Sequence, residues 1–397
     1  MRILFKRITN PIKYSKIRLF IFLVGLPFSI LSIFWMRKQK RIIFNSQYNM
    51  QFSHNSKYLF LYFIKYKKEF ETSFVIDDDS LRNKLIAQYG NYFISSKGLK
   101  NKLYILSAKT WITSSFETPI GGCFHKFRRN VFHLGHGSPL KNIGLLEENI
   151  FLFKKVYYSI IKYNFSYFFS VSDVFHKTWQ NSLHLKNNQI LLSGQSRNDV
   201  RLHFNQLELE KKYLESGYKH ILYAPTWRPY GDTELCPFKD LDLNILNDFL
   251  LDNKIKIHLR LHPCFDDQEI NSLLTLTNIS ILDSNELPDI NELLFSFDLL
   301  ITDYSSIYID FLMTEKPVLF LPYDIDVYEK YVGFSIDYYK YTPGPKPECM
   351  QDFMIDILKL LNSDFYKKER LLVNELLNPI LNNQSDGNAE IILSKLV

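Results

Sequence analysis

The chain is poor in the residues that build metal and nucleotide motifs. Its four cysteines, Cys123, Cys236, Cys264 and Cys349, have no paired metal-ligand spacing. That argues against a zinc cluster and fits free thiols in a reducing cytosol. Glycine is scarce, 14 in 397 residues. No dinucleotide fingerprint, P-loop or G-x-S-x-G elbow occurs, nor any internal repeat, low-complexity tract or long Gly/Ser linker. Acidic residues are missing from residues 1–41, which carry ten Lys or Arg. The net charge of +6 therefore describes that segment, and it gives no ground for a nucleic-acid partner.

A full membrane span needs about 20 apolar residues, with roughly 17 as the lower limit. Leu19–Trp35 offers 17 without a charge, flanked by Lys13, Lys16 and Arg18 before and Arg37, Lys38, Lys40 and Arg41 after. No small-residue cleavage site follows, so a signal peptide fits poorly. Pro27 should kink a helix here. Two readings remain open: a helix lying along or dipping into the membrane with its basic flanks on anionic headgroups, or a true span. A buried core helix is the plainer alternative, and the basic flanks argue against it.

What the chain does have is length for two α/β domains and a 46% hydrophobic share to fill their cores. Short apolar runs alternate with helical stretches. Strands are expected at Arg41–Phe44, Phe74–Ile76, Tyr104–Leu106, Asn130–Leu134, Phe168–Val171 and Gln189–Leu192. After a charged helix, Leu207–Ser216, a second set is expected at His220–Ala224, Ile255–Leu261, Ile279–Leu282, Leu299–Thr302 and Val318–Leu321. Such alternation marks parallel sheets covered on both faces, with a break near residue 205.

Ligands in such sheets bind outside the carboxyl ends of strands, so polar stretches following strands are the candidates. In Gly135-His136-Gly137-Ser138-Pro139-Leu140-Lys141 the glycines allow close approach to His136, a natural base for an alcohol. A structural histidine in a tight turn is the plain alternative. Pro225-Thr226-Trp227-Arg228 offers a hydroxyl and a cation for phosphate, or merely a solvated arginine. In Arg260-Leu261-His262-Pro263, strand alternation would put Arg260 and His262 on one side; an edge pair facing water is equally open. Thr302-Asp303-Tyr304-Ser305-Ser306 is expected to start a helix whose N–H groups and hydroxyls cradle phosphate. Gly194–Asp199 forms a compact polar turn, with Arg197 expected to face an interdomain cleft. Asp77-Asp78-Asp79 satisfies an Asp-x-Asp metal pattern, but reads better as a turn capping the following helix.

Together these stretches resemble the CDP-glycerol glycerophosphotransferase family, the teichoic acid primases and polymerases. The resemblance rests on His136–Lys141 with Gly144, on Ala224–Arg228, on Arg260–Pro263, and on Thr302–Ser306 with Asp310 and Lys316-Pro317. Weaker echoes are Gly194–Asp199, Pro343-Gly344-Pro345 and Asp386-Gly387. Their order covers residues 42 to 390. The resemblance implies an α/β protein of two Rossmann-like domains facing a cleft, the GT-B type. Residues 1–41 would form a membrane-associated segment, 42–205 an acceptor-side domain and 206–397 a nucleotide-donor domain.

The implied reaction transfers glycerol phosphate from CDP-glycerol to a hydroxyl of a lipid-linked (undecaprenyl-type) or glycolipid acceptor, releasing CMP at the cytoplasmic face of the membrane. On that view His136 is the general base, and His262 with Arg260 stabilises charge on the donor diphosphate. Ser305 and Ser306 hold diphosphate oxygens, and Asp310 accepts from a ribose or glycerol hydroxyl. Gly135, Gly137, Ser138, Pro139, Arg197, Pro225 and Thr226 complete the lining. No cofactor or metal is expected. Ser138 stands where the family usually has Thr, and the N-terminal apolar segment is not a general family feature. Alternatives are transfer of ribitol phosphate or a sugar in capsule or surface polysaccharide synthesis, or a non-catalytic membrane scaffold.

Overall fold

A computed structural model describes residues 11–148, 150–261 and 272–396; His262 lies outside the described residues. The chain forms two compact units. Residues 11–138, 143–202 and 380–396 make the first, and Pro139–Asn142 with His203–Pro379 make the second.

The first unit holds seven parallel strands: β1 (Lys38–Asn45), β2 (Glu71–Val75), β3 (Phe93–Ile94), β4 (Ala108–Thr113), β5 (Asn130–His133), β6 (Tyr167–Ser170) and β7 (Ile190–Leu192). Their order is β3-β2-β1-β4-β5-β6-β7, so the winding reverses between β1 and β4. The helix His54–Tyr66 packs on the sheet through aromatic edges, Phe44 meeting Phe60 at 5.6 Å and Phe63 at 5.7 Å. Each fully buried ring of this kind stabilises by about 2–3 kcal/mol. The helix Gln384–Ser394 closes the same core with Ala389 and Ile392. The chain end thus returns to the first unit, whereas the sequence placed all of 206–397 in one domain.

The second unit holds five parallel strands: β8 (Lys219–Ala224), β9 (Ile255–Leu259), β10 (Ile279–Ile281), β11 (Leu299–Thr302) and β12 (Val318–Phe320). The order is β10-β9-β8-β11-β12, so the reversal falls between β8 and β11. The pairing sets Thr302 beside Ala224. The loops that follow these two strands therefore start side by side.

Three expectations change. Tyr104–Leu106 is the end of a helix, Leu99–Leu106, and the strand is Ala108–Thr113 instead. A three-residue apolar run fits either element; here Lys100 is exposed while Ile105 and Leu106 are buried. β9 ends at Leu259, so alternation no longer dictates the side on which Arg260 lies. The apolar N-terminal stretch, all but Trp35, lies within one helix, Pro11–Phe34, which runs through Pro27.

Among the described residues no helix is long and apolar enough to cross a membrane, so the spanning reading is not supported. The helix packs on the first unit through small residues. Gly25, Ser29 and Ser32 are buried, and a Cβ on Gly25 would lie 1.9 Å from the Gly121 carbonyl carbon. Arg18 turns inward to pair with Glu117 at 3.0 Å, and the Arg37 guanidinium donates to the carbonyls of Ser32, Trp35 and Leu106 near the helix end. These two flanking cations serve the protein, not headgroups.

Candidate functional site

In the first unit the site is the loop after β5. Gly135 and Gly137 have φ of +72° and +144°, left-handed backbone that other residues adopt at a cost. The loop is pinned from the start of the helix His54–Tyr66. The Asn55 side-chain amide donates to the Leu134 and Gly135 carbonyls at 3.2 and 3.0 Å. Its oxygen accepts from the Arg197 backbone N–H at 3.1 Å. The Arg197 guanidinium donates to the His136 carbonyl at 2.7 Å. Arg197 is thus a brace for the His136 loop within its own unit.

His136 Nδ1 lies 3.1 Å from the Ser114 carbonyl oxygen, just beyond β4. A carbonyl only accepts, so Nδ1 carries the proton and Nε2 keeps its lone pair. The residue keeps solvent exposure, but desolvation by the protein around the ring pushes the His136 pKa below its usual value, the Ser114 bond acts the other way, and Arg197 lowers it further. The ring is neutral at pH 7. Ser138 is buried, and its hydroxyl has no hydrogen-bond partner among the described residues. Sequence reasoning missed Asn55 and Ser114, whose roles arise only when distant segments meet.

In the second unit the loops after β8 and β11 meet at the winding reversal. The Thr226 backbone N–H donates to both Asp303 carboxylate oxygens at 2.9 and 3.1 Å. Asp303 also accepts from Arg228 Nη1 at 2.6 Å and from the Tyr304 N–H. The other edge of Arg228 meets Asp324 in two bonds of 2.9 and 2.8 Å. Tyr230 and Tyr304 hydroxyls complete Asp324 at 2.6 and 3.0 Å. Burial raises the Asp324 pKa, but Arg228 and Tyr230 hold it below the usual carboxylate range. Arg228 is fully buried between two carboxylates, so it holds the loops together and is not a phosphate clamp.

The Thr226 hydroxyl is buried without a partner among the described residues. Ser305 and Ser306 are half-buried at the start of a short helix, Ile307–Phe311, which continues as a 3-10 turn to Thr314. Asp310 is buried, only 1% exposed. Arg260 donates to the carbonyls of Leu282 and Pro288 at 3.0 and 3.4 Å, and among the described residues no carboxylate is bonded to it. Lys141 belongs to this unit through its pairing with Phe334. Burial lowers its pKa to about 8, against the pull of Asp303.

The Asp77–Asp79 carboxylates are taken by local structure. Asp78 caps the helix Asp79–Tyr89 by accepting from Leu81 N–H at 2.8 Å, Asp79 pairs with Arg82, and Asp77 accepts from Ser95 and Ser96. The capping reading holds.

The chain thus holds two doubly wound α/β units, one with a neutral histidine in the loop after β5 and the other with a hydroxyl-lined turn at its winding reversal. The family model for CDP-glycerol:poly(glycerophosphate) glycerophosphotransferases matches residues 28–395, and the chain belongs to that family. It is 28% identical over 352 residues to the teichoic acid glycerol-phosphate transferase of Staphylococcus aureus (strain NCTC 8325 / PS 47), covering 81% of this chain and 84% of that protein. It is 28% identical over 350 residues to the teichoic acid poly(glycerol phosphate) polymerase of Bacillus spizizenii (strain ATCC 23059 / NRRL B-14472 / W23), covering 84% and 86%. The solved wall teichoic acid polymerase TagF shares the fold with a TM-score of 0.74 at 22% identity, covering 91% of this chain and 90% of that one.

Proposed function

We propose that this glycerophosphotransferase moves the glycerol phosphate of CDP-glycerol onto a hydroxyl of a membrane-linked acceptor, lipid-linked or glycolipid, in teichoic acid-type polymer synthesis. The observation that carries the reading is the tautomer of His136, with Nδ1–H on Ser114 and Nε2 free to take a proton. Nε2 takes the acceptor hydroxyl proton as that oxygen bonds to the β-phosphorus. The bond from this phosphorus to the bridging oxygen breaks, and CMP leaves with the electron pair. Such a displacement needs positioning and charge stabilisation more than covalent help.

On the donor side, the Ser305 and Ser306 hydroxyls, the Thr226 hydroxyl and Arg260 with His262 take the diphosphate oxygens. Lys141 adds a cation near Asp303. Asp310, buried in the helix that follows Ser306, accepts from a ribose or glycerol hydroxyl of the donor. Together with the carboxyl-end placement of both loops, this makes a GT-B type transferase the best fit to the fold.

Membrane association is supported by the inverted face of the helix Pro11–Phe34. Its small residues face the protein, while Phe20, Ile30 and Phe34 are 66%, 63% and 77% exposed. Small residues at the packed face and large apolar ones outside are the arrangement of helices bathed in lipid. We place the helix in the membrane surface, with both units on the cytoplasmic side where nucleotide donors are made.

The test is labelled CDP-glycerol with a lipid-linked acceptor, read as CMP release. His136→Ala and His262→Ala should each abolish most turnover, and full activity in both would overturn the assignment. A panel of CDP-ribitol and UDP-sugars should give no comparable turnover.

A further inference from the structure

The first unit carries a cavity of about 420 Å³ that the transfer chemistry does not use. It is lined by Lys109, Lys126, Arg128 and Arg129, with Asn130 and Tyr167 among the rest. These residues sit at the amino ends of the strands. Lys109 is second in β4, Asn130 opens β5, and Tyr167 opens β6. The His136 loop leaves the opposite, carboxyl end of β5. At about 3.3 Å per residue the two lie on the order of 15 Å apart, so one small ligand does not fill both.

Four cationic residues line this cavity, and no acidic residue does. Among the described residues no carboxylate pairs with any of the four. Glu71, at the amino end of β2, is already paired with Arg41. Arg129 is buried and donates to the carbonyls of Ala108, Leu106 and His125, with its guanidinium carbon 3.7 Å from the Trp111 ring centroid. It is thereby fixed in place as a cation without a counter-ion. Burial pulls the Lys126 ammonium below its usual pKa, with Lys162 and Lys186 adding to it. An uncompensated cluster of this kind is relieved by an anion, and Arg with Lys suits phosphate oxygens.

The surroundings narrow the source. Arg129 Nη1 also donates to the Ser32 hydroxyl, and Arg128 Nη1 to the Ile33 carbonyl, both on the helix Pro11–Phe34. Phe34, Met36 and Phe127 nearby in the chain are 77%, 84% and 53% exposed. A cationic hollow beside exposed apolar side chains suits a phosphate that carries an apolar tail.

We propose that this cavity is a second anion site, which binds the phosphate group of a phosphomonoester or phosphodiester, such as an anionic lipid headgroup. The site is independent of the His136 assignment, so either can fail alone.

The test uses the full chain carrying Lys109→Gln, Lys126→Gln and Arg128→Gln together. A control removes the same charge elsewhere on the first unit, with Lys68→Gln, Lys84→Gln and Lys100→Gln. Binding is measured to phosphatidylglycerol-containing vesicles against pure phosphatidylcholine, and to inorganic phosphate and glycerol 3-phosphate at low salt. The triple variant should bind at least about tenfold more weakly and the control within about twofold of the parent, since each basic group near an anionic surface contributes modestly. Circular dichroism and turnover with a soluble acceptor should be unchanged in both. Loss confined to vesicles identifies a lipid headgroup, and loss in both arms identifies phosphate itself. Equal losses in variant and control, or no binding by the parent in either arm, would overturn the proposal.

Discussion

The His136 ring donates its Nδ1–H to the carbonyl of Ser114 at 3.1 Å. Backbone after β4 thereby sets which nitrogen of a side chain after β5 can act as a base. Because a main-chain oxygen makes this contact, no substitution at Ser114 removes it without moving the backbone. The tautomer is a property of the sheet.

The acid limb of the pH–rate profile follows from this. Desolvation lowers the His136 pKa from 6.5, so the neutral base persists below the pH at which a free histidine charges. The kcat/KM for CDP-glycerol should fall with a midpoint below pH 6.5 as His136 is protonated. His136→Gln should remove that limb and lower kcat by about 10²–10⁴-fold, with the thermal midpoint little changed. A midpoint at or above 6.5 in the parent would show that desolvation does not dominate at this ring.

Arg228 should behave as a structural residue. Arg228→Ala leaves Asp303 and Asp324 without the guanidinium that bridges them, and removing one partner of a buried pair costs about 3–5 kcal/mol. Denaturant unfolding should show that loss. Were Arg228 a ligand clamp, the variant would instead keep its stability and raise KM.

The difference between Arg228 and His136 shows what was legible in the sequence. The β11 run and the turn at Ser305 were readable because a continuous apolar strand broken by a polar run is a local signal, although the Ser306 side chain does not cap the helix. The glycines around His136 were local too. Arg228 was misread because its partner Asp324 lies 96 residues away, and Asn55 was missed because it meets Arg197 across 142 residues. Strand Ala108–Thr113 went unseen for a different reason. The apolar triplet Tyr104–Leu106 nearby satisfied the same short pattern, and only packing against β1 and β5 decides between them.

The unpartnered hydroxyls separate binding from stability. Ser138 and Thr226 are buried with no partner for the hydroxyl among the described residues, so Ser138→Ala and Thr226→Val remove an unmet polar group. Each should leave the melting temperature unchanged or slightly higher, because an orphaned buried hydroxyl is itself a cost of about 1–3 kcal/mol. If each meets a phosphate oxygen, the KM for CDP-glycerol should rise about tenfold. A stability loss above 1 kcal/mol in either would point to a structural bond instead.

His133 is a buried histidine whose two ring nitrogens have no partner among the described residues. It stacks on Phe116 at 4.9 Å and meets Trp179 at 5.3 Å. Burial lowers its pKa to about 3, and His136 adds to the shift. The unfolded chain binds this proton below pH 6.5 while the folded chain does not until about pH 3. Stability from this group is therefore complete above 6.5 and is lost as pH falls toward 3. His133→Phe should keep or raise stability at pH 7. It should also reduce the drop between pH 6.5 and 5 by on the order of 1 kcal/mol, measured by urea unfolding at the two pH values.

The helix Pro11–Phe34 has two faces, and substitutions on them should have opposite effects. At Gly25 a methyl group would sit 1.9 Å from the Gly121 carbonyl carbon and 2.3 Å from the Gly122 nitrogen. These are backbone atoms that cannot swing aside, so Gly25→Ala should cost about 1–3 kcal/mol of stability and loosen the helix from the loop at Gly121 and Gly122. Phe34 is 77% exposed, and Phe34→Ser should leave stability unchanged while weakening sedimentation with anionic vesicles. Together with Phe20→Ser and Ile30→Ser the effect should deepen, because buried apolar area drives partition of such a face into the bilayer surface. Unchanged vesicle binding in the triple serine variant would show that the outward face of this helix is not what meets lipid.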